Sequence, residues 1–248
     1  MKTRRFDSLA VQQHDDRAAL GVAAARGVAA VIAALGAARV VFACAPSQDE
    51  FLAALLAQPV DWAKVTVFHM DEYVALPADH PASFRNYLRG HLLAHVAPRA
   101  VHLIRAEADA AAEAARYTAL LAERPLDLVC LGIGENGHLA FNDPPVADFA
   151  DPALVKLVAL DDACRRQQVH DGCFPAFDAV PTHALTLTIP ALLSAREIFC
   201  VVPGGRKAQA VREALLGPIA TSCPASVLRT HPRAVLHLDD AAAALLPA

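Results

Sequence analysis

Three short stretches of the sequence combine side chains that can transfer protons or bind an anion, and each follows an apolar run. The first is 131–145, where Asn136, His138 and Asp143 lie in a glycine-rich sequence. An imidazole flanked by a carboxylate and an amide suits general acid/base catalysis, because a neighbour can fix its tautomer. The alternative is a surface histidine in a glycine turn.

The glycines of this stretch match a dinucleotide-binding motif in spacing only. Gly132, Gly134 and Gly137 satisfy G-x-G-x-x-G, but that motif needs a helix to begin among its glycines. Pro144 and Pro145 follow too soon for such a helix. We therefore predict a turn that presents the polar side chains, and no dinucleotide site.

The second stretch, 68–77, places Asp71 and Glu72 directly after an apolar run. Phe68 and Tyr73 would partly desolvate a carboxylate held there, which raises its pKa and favours a role as a base. The alternative is an acidic pair that caps a turn or faces solvent.

The third stretch, 42–51, is a turn of small residues that leads into a helix, a place where backbone N–H groups bind phosphate. Ser47 would lie at this site. The alternative is a capping box formed by Ser47 and Glu50, which needs no ligand. Asp49 and Glu50 in the first helical turn would also repel a phosphate.

A fourth feature, 203–208, places Arg206 and Lys207 at the start of a helix, against the preference of the helix dipole. A bound anion would relieve that conflict. Lys207 is thus a second candidate for anion binding.

The elements that must position these residues alternate along the chain. Near-continuous apolar runs predict buried strands at 40–43, 65–68, 126–131, 198–202 and 235–238, with a sixth at 185–189. Alanine-rich stretches predict helices at 16–35, 47–57, 83–95, 107–123, 206–216 and 240–246. This order predicts an α/β fold, with a doubly wound and mostly parallel sheet covered by helices on both faces. Ligands of such sheets bind at the carboxyl ends of the strands, where all four stretches lie.

The segment 143–184 is the densest in special residues, with five prolines in an otherwise mixed sequence. It is too long for an ordinary connection, so it is either a lid over the site or a packed excursion.

Composition narrows the class of protein. The chain has 248 residues, of which 55% are hydrophobic, and this predicts one folded domain over 1–248 rather than a disordered chain. The net charge is −4 and the 22 lysines and arginines are dispersed, which argues against nucleic acid as a partner. We found no signal peptide or apolar run of membrane-spanning length. Six cysteines without a Cys-x-x-Cys pair favour a reducing cytoplasm.

The stretches 70–77 and 131–145 together resemble the glucosamine-6-phosphate deaminase/isomerase family, which shares its fold with the 6-phosphogluconolactonases. The resemblance continues through 183–211 and 223–239. It implies a Rossmann-like fold and a hydrolytic aldose–ketose isomerisation in amino-sugar metabolism. A hexosamine 6-phosphate, in the first place glucosamine 6-phosphate, would become a ketose 6-phosphate plus ammonia.

The resemblance also implies roles for individual residues. Asp71 would move a proton from C2 to C1, and His138 would open the sugar ring while Asn136 and Asp143 orient it. The residues implied for substrate binding are Ser47, Glu72, Gly134, Gly137 and Lys207. No metal or organic cofactor is implied, and the only partner is a small-molecule sugar phosphate. A homo-oligomer is compatible, since some members are hexameric.

Two alternatives stay open at this point. One is a sugar-phosphate lactonase that uses His138 as a base on water. The lactonases, however, carry Arg where this chain has Tyr73, and Ser where it has Phe141. The other alternative is a sugar-phosphate binding protein without turnover.

Overall fold

The computed structural model describes residues 1–77, 79–105, 107 and 109–247. Its main feature is an eight-stranded sheet in which every strand after the first hairpin runs parallel to its neighbour. In spatial order the strands are β1 (Lys2–Phe6), β2 (Leu9–His14), β11 (Ala234–Asp239), β10 (Glu197–Val202), β7 (Leu128–Leu131), β3 (Ala38–Phe42), β4 (Val65–His69) and β6 (Ala100–His102). This confirms the predicted fold class.

A second, antiparallel sheet has three strands, and seven α-helices complete the described fold. The strands of the small sheet, in order, are β5 (Asp71–Tyr73), β9 (His183–Leu187) and β8 (Val155–Ala159). The helices are α1 (Arg17–Ala34), α2 (Asp49–Leu56), α3 (Phe84–Leu88), α4 (Ala110–Ala122), α5 (Asp162–His170), α6 (Ile189–Leu193) and α7 (Ala208–Leu216). A π-helical turn, Arg89–Leu93, continues α3.

The large sheet is buried on both faces because helices cover each side of it. All five residues of β3 are buried, and neighbouring side chains enter different cores. Val41 packs with residues of α4 and α7, while Val40 packs with residues of α1 and α2. This two-sided burial explains why the central strands read as unbroken apolar runs.

Several elements differ from the sequence prediction. The five apolar runs form β3, β4, β7, β10 and β11, but the sixth forms β9 in the small sheet. The hairpin of β1 and β2 was not predicted, because the edge strand β1 is polar and β2 alternates buried with half-buried residues instead of forming an apolar run. Residues 240–246 form turns instead of the predicted helix, and the Asp239 carboxylate before them accepts hydrogen bonds from the N–H groups of Gly204 and Ala242. Residue 108, in the predicted helix 107–123, lies outside the described residues.

One described helix, α1, is long and apolar enough to cross a membrane by length and composition alone, with a mean hydropathy of 1.5. The sequence analysis did not single it out. In the structure α1 packs its buried residues, among them Leu20, Ala24 and Val28, into the core shared with α2. This packing accounts for the apolar residues on the buried face of α1.

Two buried histidines stack on the sheet beneath this helix. His14 Nε2 lies 3.3 Å from His237 Nδ1, and the His237 ring also stacks on Phe199. Burial and the neighbouring His14 lower the pKa of His237 to about 3 from 6.5. The folded state therefore resists protonation of His237, whereas the unfolded chain does not.

We expect His237 to make the protein sensitive to acid. Because the folded pKa is depressed, the stabilisation is complete above pH 6.5 and is lost as the pH falls towards 3. At pH 5 the loss is about 2 kcal/mol. His237→Phe keeps the ring stack and removes the titration, so urea unfolding should show that much less loss between pH 7 and 5. The exposed His95→Gln is the control, and an unchanged pH dependence in His237→Phe would contradict the assignment.

Candidate active site

The carboxyl ends of the central strands open into one cleft. Four predicted functional side chains line this cleft: Ser47, Asp71, His138 and Lys207. The backbone of Gly134 lines it as well. Four further residues named from the sequence, Glu72, Asn136, Gly137 and Asp143, lie behind this surface rather than in it. The structure thus brings together stretches that lie up to 160 residues apart.

His138 is held by a buried carboxylate. Its Nδ1 atom lies 2.8 Å from Asp143 Oδ1, and Asp143 is fully buried. Burial alone would raise the pKa of Asp143, but His138 and hydrogen bonds from Asn136 and Cys164 hold it below its usual value. Asp143 therefore stays ionised and keeps the proton on Nδ1, which leaves Nε2 as the atom free for proton transfer.

Asn136 completes this arrangement. Its Nδ2 donates to Asp143 Oδ1 at 2.9 Å, while its Oδ1 accepts the backbone N–H of His138 at 3.1 Å. The amide thus links the backbone of the histidine to the carboxylate that orients the ring. The predicted role of Asn136 in orienting the ring is compatible with these two hydrogen bonds and stays a prediction.

Two glycines make the close packing around His138 feasible. A Cβ atom on Gly134 would lie 2.2 Å from the His138 ring. Gly137 has a φ of +84°, and a Cβ there would lie 2.7 Å from Cys223 Sγ. No helix forms within 132–154, so this is a turn and not a dinucleotide motif. Gly137 shapes the turn without lining the cleft.

Asp71 is the carboxyl group of the cleft without an ion-pair partner among the described residues. It begins β5 and is 6% exposed. Burial, with the nearby charges of Glu72 and Asp143, raises the pKa of Asp71 well above its usual range. A carboxylate in this state is a stronger base than one in water, as the sequence analysis expected.

Glu72, by contrast, points away from the cleft. Its two carboxylate oxygens accept the Ser83 hydroxyl at 2.7 Å and three backbone N–H groups, those of Tyr73, Phe84 and Arg85. It therefore fixes the start of α3 to β5. The structure does not place Glu72 where a substrate could touch it.

Ser47 and Lys207, the two residues predicted to bind an anion, both line the cleft. Lys207 is 6% exposed, and no described carboxylate forms an ion pair with it. Burial lowers its pKa, which nearby Asp171 and Glu135 oppose. A buried ammonium group beside an open cleft is suited to bind a phosphate.

The two acidic residues that seemed to oppose an anion both point elsewhere. Asp49 accepts the Tyr87 hydroxyl at 2.6 Å, and Glu50 pairs with Arg17 at 2.7 Å. Neither lines the cleft. The alternative of a capping box is wrong too, because no side chain caps α2 and Glu50 is held by Arg17 instead.

Sequence analysis missed several residues of the cleft. Gln48, Phe84, Gln167 and Gln168 all line it. The residue after Ser47 is thus a neutral glutamine and not a charged residue. Its side chain donates to the Val201 carbonyl at 3.1 Å. Neutral glutamines have no recognisable spacing in a single sequence, and no signal singled them out.

The segment 143–184 contains β8, α5 and the start of β9. Gln167 and Gln168 bring α5 to the cleft. Arg165 of α5 donates to the carbonyls of Phe177 and Val180.

His138, Asp143 and Cys164 form a group that could ligate a metal ion, because one donor atom of each lies within 4.8 Å of the others. Burial and the nearby Asp143 raise the pKa of the Cys164 thiol well above its usual value. The thiol thus stays protonated and donates a hydrogen bond to Asp143. In that state Asp143 accepts hydrogen bonds from both the Cys164 thiol and the His138 imidazole.

The fold and the cleft define an α/β protein with an acid/base pair beside a site for an anion. The family model for glucosamine-6-phosphate isomerases and 6-phosphogluconolactonase matches residues 15–236. The chain therefore belongs to this family, as the sequence motifs predicted.

Individual relatives agree with that assignment. A glucosamine-6-phosphate deaminase of Listeria innocua is 39% identical over 199 residues, which cover 80% of this chain and 83% of the relative. One from Exiguobacterium sibiricum is 37% identical over 188 residues, covering 75% and 73%. The solved structure of a monomeric glucosamine-6-phosphate deaminase is similar with a TM-score of 0.88 and 30% identity, covering 95% and 99%.

A 6-phosphogluconolactonase from Shewanella baltica has the same fold, with a TM-score of 0.74 and 22% identity over 92% of this chain and 96% of that one. At this identity the similarity concerns the fold alone.

We expect Glu72 to be a structural residue. Glu72→Gln leaves at least one of four buried donors unpaired and should lower the free energy of unfolding by about 2–4 kcal/mol. Urea denaturation measures this loss. Glu123→Gln, on an exposed helix end, should change it by less than about 0.5 kcal/mol. Equal stability of the two variants would show that Glu72 does not anchor α3.

Proposed function

We propose that this protein converts glucosamine 6-phosphate to a ketose 6-phosphate and ammonia. The observation that carries the proposal is that one cleft holds Asp71, His138, Ser47 and Lys207. An aldose-to-ketose conversion needs a base for the carbon-bound proton and a separate acid/base for the ring. The two groups of the cleft meet this need, and the deaminases among the relatives support the choice of substrate.

His138 opens the sugar ring. Its Nε2 accepts the proton of the C1 hydroxyl and returns a proton to the ring oxygen, which gives the open-chain aldehyde. Asp143 stabilises the imidazolium that forms in between, because its carboxylate lies 2.8 Å from Nδ1. Asn136 keeps the carboxylate in place.

Asp71 then shifts the double bond. Its carboxylate takes the proton from C2 and gives it back at C1, while one proton passes from the amine nitrogen to O1, so that the aldehyde becomes an alcohol and an imine replaces the amine at C2. Water adds to this imine and ammonia leaves, which yields the ketose. Burial raises the pKa of Asp71, and this strengthens the carboxylate as a base for a carbon-bound proton.

The lactonase alternative has less support. Tyr73 and Phe141, where the lactonases carry Arg and Ser, pack with their ring centroids 5.3 Å apart. Phe141 forms part of the cleft wall. Polar groups that would bind a lactone there are thus replaced by an apolar surface.

Three coarser expectations belong to the same proposal. Segment 143–184 covers the bound sugar, which the position of Gln167 and Gln168 at the cleft supports. The protein works in the cytoplasm, consistent with six cysteines that are all free thiols. A homo-oligomer stays a prediction, and the similar solved deaminase is described as monomeric.

We expect Asp71→Asn and His138→Gln each to lower the rate of ammonia release from glucosamine 6-phosphate by at least about 100-fold. Asp71→Asn should fold with equal or greater stability at pH 7, since a raised pKa makes the ionised group destabilising there. A coupled ammonia assay and thermal unfolding measure the two effects. Full activity of either folded variant would contradict its role.

Lys207→Met should raise the KM for glucosamine 6-phosphate at least about tenfold while kcat changes less, because it removes a charge that binds the phosphate in ground and transition state alike. Arg206→Gln is the matched control. Arg206 is the neighbouring cation, but it pairs with Asp171 at 2.8 Å and does not line the cleft. Equal KM values in the two variants would place the phosphate elsewhere.

A further inference from the structure

A second cleft lies beside the edge strand β6, next to α3. Among its lining residues are four arginines, one histidine and one glutamate: Arg85, Arg89, Arg105, Arg116, His102 and Glu107. The arginines come from three separate parts of the chain, namely α3 with its π-helical continuation, the loop after β6, and α4. Such convergence in a chain of net charge −4 calls for an explanation.

The positive charges of this cleft are only half compensated. Glu107 pairs with Arg85 at 2.8 Å, and Glu113 pairs with Arg116. Arg89 donates to the neutral amide of Asn86. Within the described part of the chain, no carboxylate forms an ion pair with Arg89 or Arg105. Glu107 and Glu113 lie within electrostatic reach of Arg105, but four guanidinium groups against two carboxylates leave an excess of positive charge at the cleft.

One arginine of the cleft, Arg85, is buried and held in a fixed position. The side chain of Arg85 is only 5% exposed, and its buried Nε has no hydrogen-bond partner. Its backbone N–H donates to Glu72, which fixes the residue at the start of α3. A buried guanidinium N–H without an acceptor is costly, and a bound anion would supply the acceptor.

The field of these arginines extends into the protein. After burial, the charges of Arg85 and Arg89 are the causes that lower the pKa of His69, to about 3. His69 ends β4, the strand that pairs with β6. The lowered pKa of His69 therefore indicates a positive potential at this edge of the sheet, as expected from the excess of arginines over carboxylates.

We propose that this cleft binds the phosphate group of a small anion, at a site separate from the one that contains Lys207. The excess of two positive charges over the two carboxylates matches the charge of a phosphate dianion, and the forked N–H donors of arginine fit its oxygens. The site lies at the carboxyl ends of parallel strands, where such folds bind ligands. The shared chemistry is the phosphate group, which inorganic phosphate and a phosphomonoester both supply.

The test is calorimetric titration at low salt with inorganic phosphate and, separately, with methyl phosphate. The protein carries Lys207→Met, so that binding at the first cleft is weakened. We expect one site, whose affinity falls at least about tenfold when Arg89→Gln and Arg105→Gln are added. The control pair Arg26→Gln and Arg212→Gln removes the same charge from exposed helix positions and should leave the affinity unchanged.

The comparison of the two anions identifies the source of the phosphate. Tighter binding of methyl phosphate indicates a phosphomonoester, and tighter binding of inorganic phosphate indicates the free ion. Absence of binding in the Lys207→Met protein, or equal affinity with and without Arg89 and Arg105, would overturn the proposal. The Arg89→Gln/Arg105→Gln variant with Lys207 intact should retain deaminase activity, so this test is independent of the proposed function.

Discussion

The contact between His138 and the buried Asp143 is the interaction on which the rest of the site depends. An ionised carboxylate inside a protein is costly unless it is paired and hydrogen-bonded. Asp143 meets both conditions, through the imidazole and the Asn136 amide. Gly134 makes room for this contact, because any side chain at that position would collide with the imidazole ring. The turn after β7 is thus shaped around the contact between one imidazole and one carboxylate.

Three carboxyl groups of this region have different surroundings, and these surroundings favour a different role for each group. Asp143 has the His138 imidazole as its partner and a lowered pKa, so it holds that ring in place. Glu72 accepts four hydrogen bonds and anchors α3, although burial still raises its pKa. Asp71 has no ion-pair partner among the described residues, and its pKa is raised well above its usual range. Among the three carboxyl groups, Asp71 is therefore the one whose surroundings favour a role as a base.

The sequence predicted those parts of the molecule that depend on local pattern. Apolar runs located the central strands, and the rule that ligands bind at strand ends brought Ser47, Asp71, His138 and Lys207 to one cleft before any coordinates. What it could not predict depends on distant partners. Glu50 looked like a capping residue or an obstacle to phosphate, until Arg17 from another helix neutralised it. Glu72 looked equivalent to Asp71, but in a strand neighbouring residues face opposite ways, and α3 supplied the donors for one of them.

The central claim is that the cleft deaminates an amino-sugar phosphate, and the most direct test compares two reactions of the wild-type protein. Release of ammonia from glucosamine 6-phosphate and hydrolysis of 6-phosphogluconolactone should be measured at equal enzyme concentration. The account predicts that kcat/KM for ammonia release exceeds that for lactone hydrolysis by at least about 100-fold, the scale of one well-placed acid/base group. Lactone hydrolysis without ammonia release, or tight binding of the sugar phosphate without turnover, would contradict it.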